Sequence, residues 1–258
     1  MQVSVVIPTK NSADFIDRSI VSILNQSYLD IELIVVDNYS SDSTKKRVLP
    51  FVDMFLEKGP ERTAQANYGI SKATGEIIYL TGSDMTRDYD FIKEAVAKIQ
   101  EGYDAVYMSV KTDMDVNHFW GKVKALERES YIGTFIESTR FFKKSVWEAL
   151  GGFDEELVQL EEDFQHRLDN AGYKTGRINS REYHLHEDNS LAKIFKKAFY
   201  YGKFMKAYLK KHKSRGYKQL NPARPNINIF FKHPKLFVGF MIYKIVQYVG
   251  GMIGLLCG

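Results

Sequence analysis

The stretch Gly59–Asp84, GPERTAQANYGISKATGEIIYLTGSD, decides the fold. It reads as loop, helix, tight turn and buried strand, with Gly82-Ser83-Asp84 at the end of the strand. Pro60 falls in the predicted first helical turn, where proline's missing N–H costs little, and Glu61 favours the positive helix end. Ala64, Tyr68, Ile70 and Ala73 give the helix a partly apolar face, and Gly75 stops it. Ile77–Leu80 is an apolar run suited to a central strand. A carboxylate where a parallel strand ends lies in the crevice in which open α/β sheets bind ligands. With a phosphorylated ligand there, Asp84 would hold a hard divalent cation against phosphate oxygens.

Working outward, the same ordering recurs. Ile7-Pro8-Thr9-Lys10-Asn11 closes a first strand, Val35-Val36-Asp37-Asn38 a second, and Ser41-Asp42-Ser43-Thr44 follows. These stretches, with GPERTAQANYGI and GEIIYLTGSD, resemble the family 2 glycosyltransferases, and four matches in order at the right spacing make the signal specific. The resemblance covers residues 1–188 closely and the tail more loosely. It implies a GT-A, Rossmann-like α/β fold and sugar transfer, with inversion, from a nucleoside diphosphate sugar. It further implies that Pro8, Thr9, Asn11, Asp37, Asn38, Arg62, Asn67, Gly82, Ser83 and Asp84 line the donor pocket, with Asp37 accepting hydrogen bonds from the base. The chain departs from the family at Gly82, which stands where the first Asp of the D-x-D motif is usual. Asp84 remains as the direct metal ligand, for Mn²⁺ or Mg²⁺.

Other readings of these residues stay open. Asp37 and Asn38 suit a side-chain-capped turn, and Arg62 suits a solvated first-turn charge. At 258 residues, 26% charged and 44% hydrophobic, the chain is long enough to bury a good core and is not of disordered composition. Its single cysteine, Cys257, excludes an intrachain disulfide and fits a reducing compartment. MQVSVVIP enters a strand directly, without the pattern of a signal peptide. The net charge of +4 hides an asymmetry: beyond Asp188 there are 14 Lys and Arg and no Asp or Glu, so residues 1–188 carry −10. A basic tail of that kind meets an anionic partner. Its aromatics and long apolar end favour a membrane over nucleic acid, for which no recognition motif is present.

Along the chain, strands are predicted at Val3–Pro8, Ile31–Val36, Phe51–Leu56, Ile77–Leu80 and Ala105–Val110. Helices alternate with them, one capped by Ser12 or Asp14 and one over Tyr89–Gln100. This order implies a mainly parallel sheet with right-handed crossovers. Trp120–Ile132 is a further helix with Val123, Ala125, Leu126 and Ile132 inward, and Glu137–Phe142 a strand. Gly151-Gly152-Phe153-Asp154-Glu155 resembles the family's acceptor-side turn and equally suits a helix C-cap.

Leu160–Leu168, LEEDFQHRL, opens a helix with three acids in its first turn, which the macrodipole alone would favour. Counting back from Arg167 and Gly172 puts Glu161 at the family's base position, whereas the local Glu162-Asp163 pair names Asp163. An inverting transfer needs such a carboxylate to take the acceptor proton, and Asp163 and Glu161 are held jointly as catalytic. Short strands are predicted over Lys174–Ile178 and Glu182–Leu185. The resemblance makes His186, just beyond, the second metal-ligand candidate, and an imidazole would suit Mn²⁺ better than Mg²⁺.

Residues 1–188 are therefore read as the catalytic domain and 189–258 as basic C-terminal helices. Ser190 caps a long helix to about Lys211, and Leu236–Leu256 forms a last apolar helix. That helix is long enough to span a bilayer, but Lys244 falls near its middle. With Gln247 and Gly251 on the same face, an interfacial helix is expected, with Phe237, Phe240, Met241, Val249 and Met252 available to lipid or core. The function expected is a hexosyltransferase on a lipid-linked acceptor, at the cytoplasmic membrane face. A polyprenyl-phosphate sugar synthase is the near variant, and a non-catalytic nucleotide-sugar-binding subunit, suggested by Gly82, the alternative class.

Overall fold

A period of two in three buried strands generates both cores of the sheet. In β1 (Val3–Thr9), β2 (Ile31–Asp37) and β4 (Ile77–Leu80), one set of side chains, including Val5, Ile7, Leu33, Val35 and Tyr79, packs to one face. Its alternates Val6, Ile34, Val36, Ile78 and Leu80 pack to the other. Strands buried on both faces read as continuous apolar runs, and these do. The first face is covered by α1 (Ile16–Leu24) and α4 (Phe91–Gln100) through Ile16, Ile20, Ile23, Phe91 and Ile92. The second is covered by α3 (Arg62–Lys72), α6 (Lys144–Ala149) and α7 (Leu160–Asn170) through Ala66, Ile70, Val146, Phe164 and Leu168.

This computed structural model describes residues 1–113, 118–132, 139–158, 160–186, 190–212 and 226–258. Its sheet has eight strands in the order β3-β2-β1-β4-β7-β6-β8-β5. Here β3 is Met54–Glu57, β5 Met85–Arg87, β6 Ala105–Thr112, β7 Thr139–Lys143 and β8 Thr175–His184. The pairs β1–β2, β1–β4 and β2–β3 are parallel, and β7 runs antiparallel to both β4 and β6. The sheet is thus mixed, with its parallel part carrying the ends of β1, β2 and β4.

Several local expectations shift. Pro60 and Glu61 precede α3 rather than entering its first turn, and the helix ends at Lys72. Gly75 acts through space instead: a Cβ there would come 2.6 Å from Ser4 Oγ, so the turn can close against β1. Ser12 and Asp14 do not cap α1, whose N-cap is Phe15 with no side-chain bond. Phe51 is exposed ahead of β3, and a short helix, α2 (Thr44–Val48), follows the second strand. The edge strand β5, too short and polar to show a period, was not expected. The two short strands predicted near the end of the sheet are one, β8. Glu137 and Ser138 lie outside the described residues.

The chain divides into two compact units: residues 1–109, 138–155 and 160–183, and residues 110–137, 156–159 and 184–258. The second contains α5 (Phe119–Ser130), α8 (Leu191–Lys211), a 3-10 helix (Ile227–Lys232) and α9 (Pro234–Cys257). Ser190 caps α8 by accepting from the Lys193 N–H. The core of this unit is Val123, Leu126, Ile194, Phe230, Phe240 and Tyr243, while Ile132 stays exposed. Lys244 does not join an outer polar strip: it is buried, ion-paired with Glu127 of α5 and bonded to Tyr131 and Gln247.

Candidate active site

Three strand ends meet at one edge of the parallel sheet. Thr9 closes β1 in register with Asp37, which closes β2, and β4 runs out through Thr81 into Gly82-Ser83-Asp84. Thr9 is 3% exposed, and its hydroxyl has no hydrogen-bond partner although it is buried. Such a group is unfavourable unless something else satisfies it. Gln65 of α3 donates to the carbonyls of Thr9 (2.9 Å) and Val36 (2.6 Å), tying the helix to both strand ends.

The Asp37 carboxylate closes the following turn, accepting from the Ser40 N–H at 2.7 Å and from its hydroxyl. Asn11 joins the same loop: its N–H donates to Ser40 Oγ, and its side chain accepts from the Ser41 N–H. Asn38 donates to the Pro60 carbonyl, so the turn after β2 holds the entry to α3. Pro8 pairs in register with Val36. Ser83 bonds Ser12 (2.8 Å), and the Gly82 carbonyl accepts from Ser19. A Cβ on Gly82 would come 2.8 Å from Asp84 Oδ1, so glycine leaves the Asp84 carboxylate its place.

Arg62, at the start of α3, donates to Glu161 at 2.7 Å, joining two helices 99 residues apart in sequence. Arg140 of β7 lies 3.6 Å from the same carboxylate and donates to Glu182 at 3.1 Å. Glu182 is fully buried and also accepts from the hydroxyls of Tyr79 and Thr81 (2.7 Å). Burial works against the charge of Glu161, yet Arg62 and Arg140 hold its pKa below the usual carboxylate range. Burial would likewise lower the Arg140 pKa, and Glu182 and Glu161 outweigh it, so the guanidinium stays charged.

The three acids of α7 differ sharply in their surroundings. Glu162 has its pKa raised, by burial first and then by the neighbouring Glu161 charge. Asp163 is fully buried and paired with Arg167 one turn on, at 2.8 Å; Arg167 in turn donates to the Leu150 carbonyl. Glu161, 8% exposed, is the acid gripped by the two arginines.

Asn67 points to a different element. Its amide donates to the Phe153 carbonyl and Glu155 and accepts from the Phe153 N–H, each at 2.9 Å. It therefore clamps the Gly151–Glu155 turn, whose Gly151 and Gly152 have φ of 75° and 77°. The side-chain types needed for a metal are Asp84, half-buried in the first unit, and His184 and His186 in the second. The two imidazoles lie 5.3 Å apart, and His184 Nδ1 bonds the His186 carbonyl.

Arg140 and Glu182 escaped sequence reasoning, although one signal was present: a charge inside a predicted strand must find a counter-charge if that strand is buried. Arg140 is the second residue of TRFFK, and Glu182 the eighth of TGRINSREYH.

A family model, glycosyl transferase family 2, matches residues 4–153. The chain belongs to that family. Among relatives, a GalNAc(5)-diNAcBac-PP-undecaprenol beta-1,3-glucosyltransferase of Campylobacter jejuni is 30% identical over 51% of this chain and 45% of its own. A UDP-Glc:alpha-D-GlcNAc-diphosphoundecaprenol beta-1,3-glucosyltransferase of Escherichia coli is 27% identical over 52% of this chain and 50% of its own. The chain thus spans about half the length of these family 2 relatives. In fold it is similar to a mannosyltransferase from Pyrobaculum calidifontis solved with GDP-Man and Mn²⁺, with a TM-score of 0.60 and 20% identity. That match covers 98% of this chain and 72% of the other.

Proposed function

We propose that this family 2 member is an inverting glycosyltransferase that moves a sugar from a nucleoside diphosphate sugar to a lipid-linked acceptor at the cytoplasmic membrane face. The observation that carries the reading is the Arg62–Glu161 pair, which sets an acidic helix beside the strand ends of Thr9, Asp37 and Asp84. The relatives' printed acceptors, undecaprenol diphosphate sugars, support the acceptor class.

In this reading the donor occupies the strand-end crevice, where the unpartnered Thr9 hydroxyl gains a bond and Asp37 faces the base. Glu161 takes the acceptor proton as the acceptor oxygen bonds the anomeric carbon and the bond from that carbon to the diphosphate oxygen breaks. No covalent enzyme intermediate is needed, which gives inversion. Arg62 and Arg140 keep Glu161 ionised and oriented, and Asn67 holds the Gly151–Glu155 turn on the acceptor side. Asp84 would hold a divalent cation, and His186 remains the second ligand candidate that the resemblance implies, an imidazole that would suit Mn²⁺ better than Mg²⁺. When bound, the cation supplies charge neutralisation to the leaving diphosphate.

The α9 surface supports membrane docking. Among the described residues it is the one helix long and apolar enough to cross a bilayer. Its exposed side chains Val238, Ile242, Ile245, Val249, Met252 and Leu256 follow one helical stripe. With Lys244 turned inward, that stripe is wholly apolar, as an interfacial helix requires.

Gly82 favours a second reading, a subunit that binds nucleotide sugar without transferring it. Incubating the protein with UDP- and GDP-sugars, Mn²⁺ and a diphosphoundecaprenyl saccharide tests both. Lipid-linked product is expected from wild type, with donor affinity losing its Mn²⁺ dependence in Asp84→Ala. Donor binding with neither transfer nor donor hydrolysis would replace the transferase reading with the subunit.

A further inference from the structure

On the first unit, α3 presents Ala64, Asn67, Tyr68 and Ser71 at i, i+3, i+4 and i+7 along one flank. With Trp147 of α6 and the Gly151–Glu155 turn, this flank encloses a groove of about 340 Å³. Gly152 lets the turn lie close: its φ is 77°, and a Cβ there would come 3.2 Å from Trp147 Cζ2 and 3.3 Å from Asn67 Oδ1. Lys58 lines the groove as well, and its backbone N–H donates to the Asp37 carbonyl at 2.9 Å. The groove therefore adjoins the end of β2, next to the strand-end crevice.

Opposite charges line this groove without meeting. Lys58 is exposed, its ammonium 5.9 Å from the centre of the Tyr68 ring, and among the described residues it has no carboxylate partner. Glu155 accepts one bond, from the Asn67 amide at 2.9 Å, which leaves most of its acceptor capacity free. The Tyr68 hydroxyl has no partner among the described residues. Asn67 is committed to the turn, and the Ser71 hydroxyl donates to the Tyr68 carbonyl at 2.7 Å. The free polar groups are thus those of Lys58, Tyr68 and Glu155, with the Trp147 indole beside them.

These groups restrict what can fit. An ammonium only donates and a carboxylate only accepts, so a simple anion is repelled by Glu155 and a simple cation by Lys58. An apolar occupant would desolvate both charges without pairing them. A hydroxyl meets both, giving its hydrogen to Glu155 while its oxygen accepts from Lys58 or Tyr68. The C–H hydrogens of a ring that bears such hydroxyls carry partial positive charge and suit an indole, whose face is negative. We propose that this groove binds a neutral pyranose unit. Resting on the transferase reading above, that unit belongs to the lipid-linked acceptor, beyond the residue that is glycosylated.

The test uses the full chain labelled with ¹⁵N. Its two tryptophans, Trp120 and Trp147, give two indole N–H signals, which Trp120→Phe assigns. The Trp147 N–H is buried without a hydrogen-bond partner, so its signal reports on the groove wall. Titration with methyl glycosides of glucose, galactose, mannose and N-acetylglucosamine is expected to move that signal saturably with at least one of them. Affinity for that glycoside should fall about tenfold or more in Lys58→Met and in Glu155→Gln, each of which removes a charge-assisted bond. In transfer assays Lys58→Met should raise KM for a diphosphoundecaprenyl disaccharide by about tenfold, with kcat and donor KM kept. A Trp147 signal that no glycoside moves, a shift undiminished in both variants, or a glycoside that UDP displaces would overturn the site. Glycoside binding with an acceptor KM indifferent to Lys58→Met would overturn its assignment to the acceptor. Glycoside binding here without transfer by wild type would uphold the site and remove the transferase reading instead.

Discussion

At the scale of single residues, the acids of α7 separate by what they touch. Asp163 is sealed in the core with Arg167, so its loss leaves a guanidinium short of its counter-charge. Breaking a buried pair in this way costs about 3–5 kcal/mol. Glu161 instead meets Arg62 and Arg140 at the crevice. Glu161→Gln is therefore expected to lower kcat by about 10²–10⁴ with donor affinity close to wild type. It should lower Tm less than Asp163→Asn does, because Arg140 keeps Glu182 and Arg62 is partly exposed. Asp163→Asn should lower Tm first. Steady-state kinetics and thermal unfolding on both variants check this, and the opposite pattern would move the base to Asp163. The sequence placed both acids in one helical turn but could not rank them, because the arginine that decides, Arg140, comes from a distant strand.

Among elements, the contact of α5 with α9 rests on a buried charge cluster. Glu127 is 1% exposed and lies between Lys124, at 2.5 Å, and Lys244. Burial opposes its charge, but the two lysines bring its pKa down from 4.5 to about 2. A carboxylate with a lowered folded pKa stabilises fully above its unfolded value, and that stability fades as pH falls through the folded one. The second unit should thus lose stability between about pH 4.5 and 2. Glu127→Gln should show a flatter acid limb while being about 3–5 kcal/mol less stable near neutrality. Chemical denaturation at a series of pH values reads both effects. An acid limb as steep in Glu127→Gln as in wild type would mean that other carboxylates set it. The helices α8 and α9 meet at glycines: a Cβ on Gly250 would come 2.9 Å from the Phe195 carbonyl, so these backbones approach closely.

For the molecule as a whole, the proposed membrane docking rests on the apolar stripe of α9 and on the basic tail. Burying one large aliphatic side chain contributes roughly 1.5–3 kcal/mol. Ile245→Glu and Val249→Glu, both at exposed positions, should each lower sedimentation with anionic vesicles by at least about tenfold with the fold intact. High salt should weaken wild-type binding as well, since each lysine near an anionic surface adds about 1 kcal/mol. Undiminished sedimentation of both variants would show that the stripe does not enter lipid.

The sequence by itself determined the elements whose information is local. The strands predicted over Val3–Pro8 and Ile31–Val36, the apolar run Ile77–Leu80 and the Ser190 cap were all legible because neighbours in the chain specify them. The motif order likewise brought Thr9, Asp37 and Asp84 to strand ends, since a parallel α/β sheet puts them there. Long-range pairing was decided only by the tertiary structure. β7 enters between β4 and β6 and carries Arg140 to Glu161 and Glu182. Asn67 turns to Phe153, and Lys244 turns inward because Glu127 offers a buried counter-charge. A desolvated charge or amide goes wherever its partner is, and nothing adjacent in the chain records where that partner lies.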